Sequence, residues 1–250
     1  MIKLKYYFIT IVCLVFCFVL SISASQKFTL LTILYNETHP ERIQEYVECL
    51  NRNLALPQIE SVHILYDTSR DGVDNVLVDY LKTKSVTITC IDDRPTFGDC
   101  FELLHKQYPG KKIILANADI YFNETLGALN SYDFNNVFMA LTRWDVQSDG
   151  TLKIFEQYKT DGSFDDIGSY LSQDVWIFQT PLCGFANPSF RLGTWACDGY
   201  IAYQAYIAGL QVINPCLTVQ CCHLHQSGVR HWTPQSIPGA KALILPWVSL

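Results

Sequence analysis

Along residues 28–122, apolar runs alternate with amphipathic stretches, and the runs stop on polar or acidic side chains. Residues 28–35 form an apolar, Thr-containing run that predicts a first buried strand. Thr38-His-Pro-Glu41 then predicts a capping box with Pro in the first turn, and Ile43, Tyr46, Val47 and Leu50 recur at helical spacing. A second strand is predicted over 62–66, ending on Asp67, then a helix over 73–81 and a third strand over 86–91, ending on Asp92-Asp93. Residues 97–108 predict another helix with Phe101, Leu104 and His105 on one side, after which Pro109-Gly110 turns the chain. The apolar run 113–122 follows, interrupted by Asn117-Ala-Asp119, and reads as a buried central strand whose end delivers a carboxylate to solvent.

This alternation calls for an α/β fold, a mostly parallel central sheet with helices on both faces joined by right-handed crossovers. Such sheets hold ligands beyond the carboxyl ends of their strands. The loop after the first strand, Tyr35-Asn-Glu-Thr-His39, carries no GxGxxG, and no GxxxxGK[ST] occurs anywhere, so a bound nucleotide would not rest on a Gly-rich cradle. Beyond 122 the pattern loosens. Strands are predicted over 137–143 (ending at Trp144-Asp145), 174–178 and 219–225, with 152–155 in a hairpin after Asp149-Gly150 and a surface loop over 160–166. Trp195 to Asp198 leads into a helix with Ile201, Ala205 and Ala208 on one face and Gly209 as its stop. The tail beyond His231 is irregular and apolar, packed across the body.

The first segment stands apart. Lys3 and Lys5 precede an uncharged run, residues 6–26, whose 21 residues would reach about 31 Å as a helix at roughly 1.5 Å per residue. Ser23-Ala-Ser25 also supplies small residues for cleavage, so 1–25 reads as a signal peptide or a signal anchor, with the body extracytoplasmic or in the secretory lumen. Residues 26–250 then suit one domain with a C-terminal lobe. Without Lys3 and Lys5 the chain carries a net charge of about −8, which argues against a nucleic-acid partner. Eight cysteines beyond the leader permit disulfides, but there is no CxxC pair for zinc. Asn36-Glu-Thr38 and Asn123-Glu-Thr125 match the N-glycosylation pattern.

Asn117-Ala-Asp119 has the form of a DxD motif with Asn in place of the first acid. A carboxylate there is placed to hold a hard divalent cation that grips phosphate oxygens. His223 and His225, two apart, share a face if their segment is a strand. Asp198 sits where a helix begins and has two readings, an N-cap or a functional acid.

Ala116-Asn-Ala-Asp-Ile-Tyr-Phe122, Ala140-Leu-Thr-Arg-Trp-Asp145, Ser172-Gln-Asp-Val-Trp-Ile-Phe178, Cys197-Asp-Gly-Tyr-Ile-Ala202 and His223-Leu-His-Gln-Ser227 together resemble a GT-A-fold glycosyltransferase of the nucleotide-diphospho-sugar transferase superfamily. The likeness covers most of residues 28–231 and implies a nucleotide-sugar half, about 26–125, and an acceptor half, about 126–250. It implies that Asp119, with His223 or His225 as a late ligand, coordinates Mn2+ or Mg2+ bridging the donor's diphosphate, and that Asn117 contacts ribose or metal. Thr32, Tyr35, Asp67, Asp92 and Arg94 would receive base, ribose or phosphate, Arg94 having a structural pairing with Asp92 or Asp93 as its other reading. Arg230 and His231 are secondary phosphate candidates. Asp198 would be the general base toward a hydroxyl on a glycan, lipid or protein acceptor, with Asp174 and then Asp145 as rival acids. A noncatalytic sugar- or nucleotide-binding protein on the same fold is the alternative from another class, and a nucleotidyltransferase the alternative among enzymes.

Overall fold

The computed structural model describes residues 26–70, 76–182, 184, 189–230, 237 and 241–250. The predicted leader at 1–25, Cys183 and His231 lie outside the described residues. The predicted runs form β1 (Phe28–Tyr35), β2 (Ile59–Asp67), β3 (Thr87–Ile91) and β4 (Lys112–Ala116), separated by α1 (Pro40–Ala55), α2 (Val76–Lys82) and α3 (Phe97–Gln107). The run 113–122 is two strands rather than one. Ile120 N–H folds back onto the Asn117 carbonyl, and the chain resumes as β5 (Ile120–Phe122). Then come β6 (Val137–Leu141), β7 (Trp144–Val146), β8 (Leu152–Ile154), α4 (Asp166–Leu171), β9 (Val175–Gln179), α5 (Cys197–Ile207), β10 (Gln211–Ile213) and β11 (Cys221–His223).

Seven strands make the main sheet in the order β10-β6-β9-β4-β1-β2-β3. Only β9 runs against its neighbours; the other pairings are parallel. Successive side chains on a strand face opposite ways, so each strand feeds two cores. Leu30, Leu34, Ile64 and Ile114 pack with Tyr46 and Leu50 of α1 and Leu77 and Leu81 of α2. Leu31, Leu65, Ile113, Leu115 and Trp176 pack on the other face with Phe97, Phe101 and Leu104 of α3 and Ile201 and Ala205 of α5. Helices therefore cover both faces, as the alternation required. A second, four-stranded sheet, β5-β11-β7-β8, sits where the chain leaves β4 and β6. The tail closes over the body: Leu245 is buried, its carbonyl accepts from Asn214, and Trp247 bridges to Asn214.

Several local expectations change. The Thr38–Glu41 capping box does not form; His39 is the N-cap of α1 without a side-chain bond, and Glu37 Oε1 instead accepts the Thr38 and His39 amides, both at 2.9 Å. Asp198 is not a cap either. The N-cap of α5 is Ala196 in the left-handed region (φ 65°), which places Asp198 in the first turn. The two glycosylation triplets are structurally committed: Asn36 is buried, and Asn123 caps a 3-10 turn through Thr125 while donating to Gln220. Among the described residues the seven cysteines, including Cys49, Cys216, Cys221 and Cys222, are free thiols. No described helix is long and apolar enough to cross a membrane.

Candidate functional site

The second sheet assembles the centre of the site by register. His223 pairs with Ile120 on one side and with Asp145 on the other, so residues from three distant segments lie side by side. Three further bonds fix the Asp119 turn: Leu224 N–H donates to the Asp119 carbonyl, and the Asn53 side chain of α1 donates to Ile120 O and accepts from Phe122 N–H. One carboxylate oxygen, Asp119 Oδ2, thus faces His223 Nε2 at 3.1 Å and His225 Nδ1 at 3.5 Å. Asp145 Oδ1 lies 2.7 Å from His223 Nδ1. Burial alone would make imidazolium less favourable, but the Asp119 charge and the bonds to Asp119 and Asp145 outweigh it and lift His223 to about 9. Burial likewise opposes ionisation of Asp119, yet the neighbouring His223 charge, both histidine bonds and Arg42 hold its carboxyl well below the usual range.

A divalent ion suits this cluster. Ligand atoms of Asp119, His223 and His225 lie within 4.8 Å of one another, and His225 Nε2 is buried without a partner among the described residues. Asp145, by taking the Nδ1 side of His223, leaves Nε2 for a cation, the carboxylate support common behind metal-ligating histidines. One oxygen and two imidazole nitrogens favour Mn2+ over Mg2+, which prefers an all-oxygen shell.

Sequence reading missed Arg42, the residue closest to this carboxylate. Its Nη2 lies 2.6 Å from Asp119 Oδ2, its Nη1 lies 2.6 Å from Glu45 Oε2, and its Nε donates to the Tyr46 hydroxyl. Burial disfavours the guanidinium charge, but Asp119 more than restores it. Glu45 in turn accepts the Gln226 and Ser227 amides, each at 2.7 Å, tying α1 to the segment that carries the histidines. The signal was present in the sequence. Arg42, Glu45, Cys49 and Asn53 share the helical stripe of Tyr46 and Leu50, and all six are buried.

Because β9 is antiparallel, its start lies beside the ends of β4 and β6. Asp174 is placed there: its carbonyl accepts from Asn117 N–H and its N–H donates to Leu141 O. Asn117 Nδ2 donates to Asp174 Oδ1 at 2.8 Å, and Arg143 Nη1 donates to Asp174 Oδ2 at 3.0 Å while its Nε holds Asp145. This explains Asn at 117, since a carboxylate there would face Asp174 at hydrogen-bonding distance. Asn117→Asp, although it completes a DxD sequence, is expected to weaken Mn2+-dependent ligand binding about tenfold or more, read by calorimetry. Tighter binding would show that the amide has no such role.

Asp198 stands behind Asp174. Enclosure and the Asp174 carboxylate raise it to about 7, against the Cys197 thiol (3.1 Å) and the Gln173 amide, which donate to it.

The resulting cleft is lined by Tyr35, Asp67, Arg94, Asn117, Asp119, Asp174, His223, His225 and Arg230 from the sequence reading, joined by Arg42, Arg70 and Arg143. Four predicted residues among those described do not line it, one of them Asp145, which is held by Arg143 and His223. Thr32 faces a small cavity beneath the Asn117 turn with Leu30 and Leu34, because side chains alternate along β1 and it is Ile33 and Tyr35 that turn to the cleft. Asp92 is exposed and Asp198 half-buried, both outside the lining of the cleft. Arg94 pairs with neither predicted acid through its side chain: its backbone N–H bonds Asp93, whose carboxylate also holds Arg191. Gly193 (φ 69°) leaves the space that the Arg94 guanidinium fills, where any Cβ would collide with it. Arg70 lies over the Tyr35 ring, 4.4 Å from its centre. Of the tryptophans, Trp176 is in the core, Trp144 donates to Cys216 O, and Trp195 is exposed.

No protein-family model matches the chain, and no curated protein does. Among solved structures it is similar to GalNAc-T7 with UDP, GalNAc and Mn2+ (12% identity, TM-score 0.53, covering 80% of this chain and 44% of that one). It is also similar to the mannosyltransferase PcManGT from Pyrobaculum calidifontis with GDP-Man and Mn2+ (14%, 0.49, 80% and 56%). S. aureus TarS 1–349 is a third (18%, 0.45, 83% and 60%). The chain spans about half the length of these proteins. The likeness is one of fold: the chain has the mostly parallel GT-A-type α/β architecture.

Proposed function

We propose that the protein is a metal-dependent glycosyltransferase that moves a sugar from a nucleoside-diphosphate donor to a hydroxyl acceptor. One observation carries the reading: in a chain of net charge −6, the cleft at the strand ends gathers five arginines and two histidines against three aspartates, around a carboxylate–imidazole cluster. That charge balance suits a small polyanion such as a diphosphate. UDP and Mn2+ are the ligands named for GalNAc-T7, and the same classes are proposed here.

Asp119, His223 and His225 would hold the ion, Mn2+ in preference to Mg2+, and when bound it would neutralise charge developing on the departing diphosphate. Tyr35, Asp67 and Arg70 form the nucleoside end, where an aromatic ring and a carboxylate suit base stacking and ribose hydroxyls. Burial and the neighbouring Arg70 and Arg191 charges lower Arg94, a destabilisation that an incoming phosphate relieves. Arg143 and Asn117 take up both Asp174 oxygens, so Asp174 serves as a fixed anchor. Asp198, held near 7 and, among the described residues, without an arginine bonded to it, is the acid suited to accept the acceptor's hydroxyl proton.

Calorimetric titration of residues 26–250 with UDP- and GDP-sugars, with and without Mn2+, tests this. At least one donor should bind, and Mn2+ should tighten it tenfold or more, on the order of what metal-site contacts contribute. Absence of metal-dependent binding across the panel would overturn the proposal.

A further inference from the structure

Arg42 was in no predicted site, yet it makes the shortest contact to the carboxylate that would hold a metal. Asp119 Oδ2 receives Arg42 Nη2 at 2.6 Å, closer than either imidazole at 3.1 and 3.5 Å. The pair is buried, so its attraction is weakly screened. An arginine in such a place is either a permanent strut or a stand-in for a cation. Two features favour the stand-in. Arg42 lines the cleft as well as contacting Asp119, and it has a second anchor: Nη1 on Glu45 and Nε on the Tyr46 hydroxyl, with the guanidinium over the Tyr46 ring at 4.6 Å. Those contacts are on its own helix and do not involve Asp119, so the guanidinium keeps one charged partner, Glu45, when it leaves Oδ2. Glu45 stays in place because Ser227 and Gln226 bond it from the other side.

We propose that Arg42 is an internal counter-cation that competes with the divalent ion for Asp119 Oδ2, and that the arriving ion turns the guanidinium, still held by Glu45, toward the phosphates of the donor. The inference rests on the glycosyltransferase reading for the identity of that donor. Before metal arrives Arg42 keeps Asp119 ionised and aimed; afterwards it is a phosphate contact. Metal and donor binding are then coupled, since the anion offers Arg42 a replacement for the carboxylate it gives up.

The test is Mn2+ affinity without nucleotide, read at pH 7 from the electron paramagnetic resonance signal of free Mn2+. Arg42→Gln should bind Mn2+ about tenfold more tightly than the wild type, while Arg42→Lys, which keeps a charge, should stay within about threefold of it. A strut would behave in the opposite way: its loss loosens Asp119 and weakens Mn2+. Unchanged or weaker binding by a folded Arg42→Gln therefore overturns the competition and leaves the donor titration untouched. The wild-type chain gives a second measurement that needs no variant. On adding Zn2+ as a diamagnetic stand-in, the slowly rotating Nη protons of Arg42 should become fast-averaged in nitrogen-15 spectra as His223 and His225 signals shift. Histidine shifts with an unaltered Arg42 signal would also overturn the proposal.

Discussion

Asp119→Ala is expected to lose Mn2+-dependent donor binding by about 100-fold or more and to lower stability in the absence of metal. The binding loss follows from removing the oxygen on which Arg42, His223 and His225 converge. Stability falls because Arg42 would remain buried with half of its charge compensation gone, and breaking a buried pair costs about 3–5 kcal/mol. In a domain of this size that corresponds to a melting temperature lower by on the order of 10 °C. Asp119→Asn separates the two effects. It keeps a hydrogen-bond acceptor for the histidines, so it should melt closer to the wild type while still binding Mn2+ poorly. Donor binding by Asp119→Asn within about threefold of wild type, measured by calorimetry with Mn2+, would remove Asp119 from the site.

Asp198→Asn should leave donor affinity unchanged and reduce turnover by roughly 10²–10⁴, the contribution typical of a positioned base. The wild-type rate should rise with pH through an inflection near 7, because the active form of a base is its unprotonated one. The same substitution carries a stability signature of fixed sign. A carboxyl whose folded pKa is raised from 3.8 to about 7 favours the fold while protonated, and this contribution is lost as pH climbs from about 4 through 7. Asparagine does not titrate, so relative to wild type the variant should gain on the order of 4 kcal/mol between pH 4 and pH 8 in urea unfolding, at about 1.4 kcal/mol per pH unit. A normal transfer rate in Asp198→Asn would move the base elsewhere, with Asp174 the next acid to test.

The central sheet was legible because Ile- and Leu-rich runs such as 28–35 and 113–116 have one physical solution, a strand covered on both faces. Direction was not legible. The run at 174–178 predicts a strand, observed at Val175–Gln179, but does not reveal that it lies antiparallel between β4 and β6, which is what brings Asp174 against Asn117. The second sheet was largely hidden, since its four strands are three residues each and too short for a period to emerge. Even so, the two-residue spacing of His223 and His225 predicted a shared face, and both reach Asp119. Arg42 and Glu45 escaped notice because only apolar members of the α1 stripe were counted, although position on the stripe and not hydrophobicity determines what is buried. The strand end at Tyr35 is as predicted, but of Thr32 and Tyr35 only the second turns to the cleft.

The tie between Glu45 and Ser227 spans 182 residues, and that between Asp119 and His223 spans 104. Closing loops of that length costs chain entropy before any contact returns it, so such pairings form late in folding. During synthesis the β1–β4 half can assemble on its own hydrophobic contacts, while the first imidazole of the cluster arrives 104 residues after Asp119. Opening is expected to run in reverse, with the 221–227 segment detaching at lower free energy than the sheet it leaves. A damaged or nicked molecule would then lose its ligands before it lost its shape, and nucleotide with metal would protect this segment from proteolysis more than any other part of the protein.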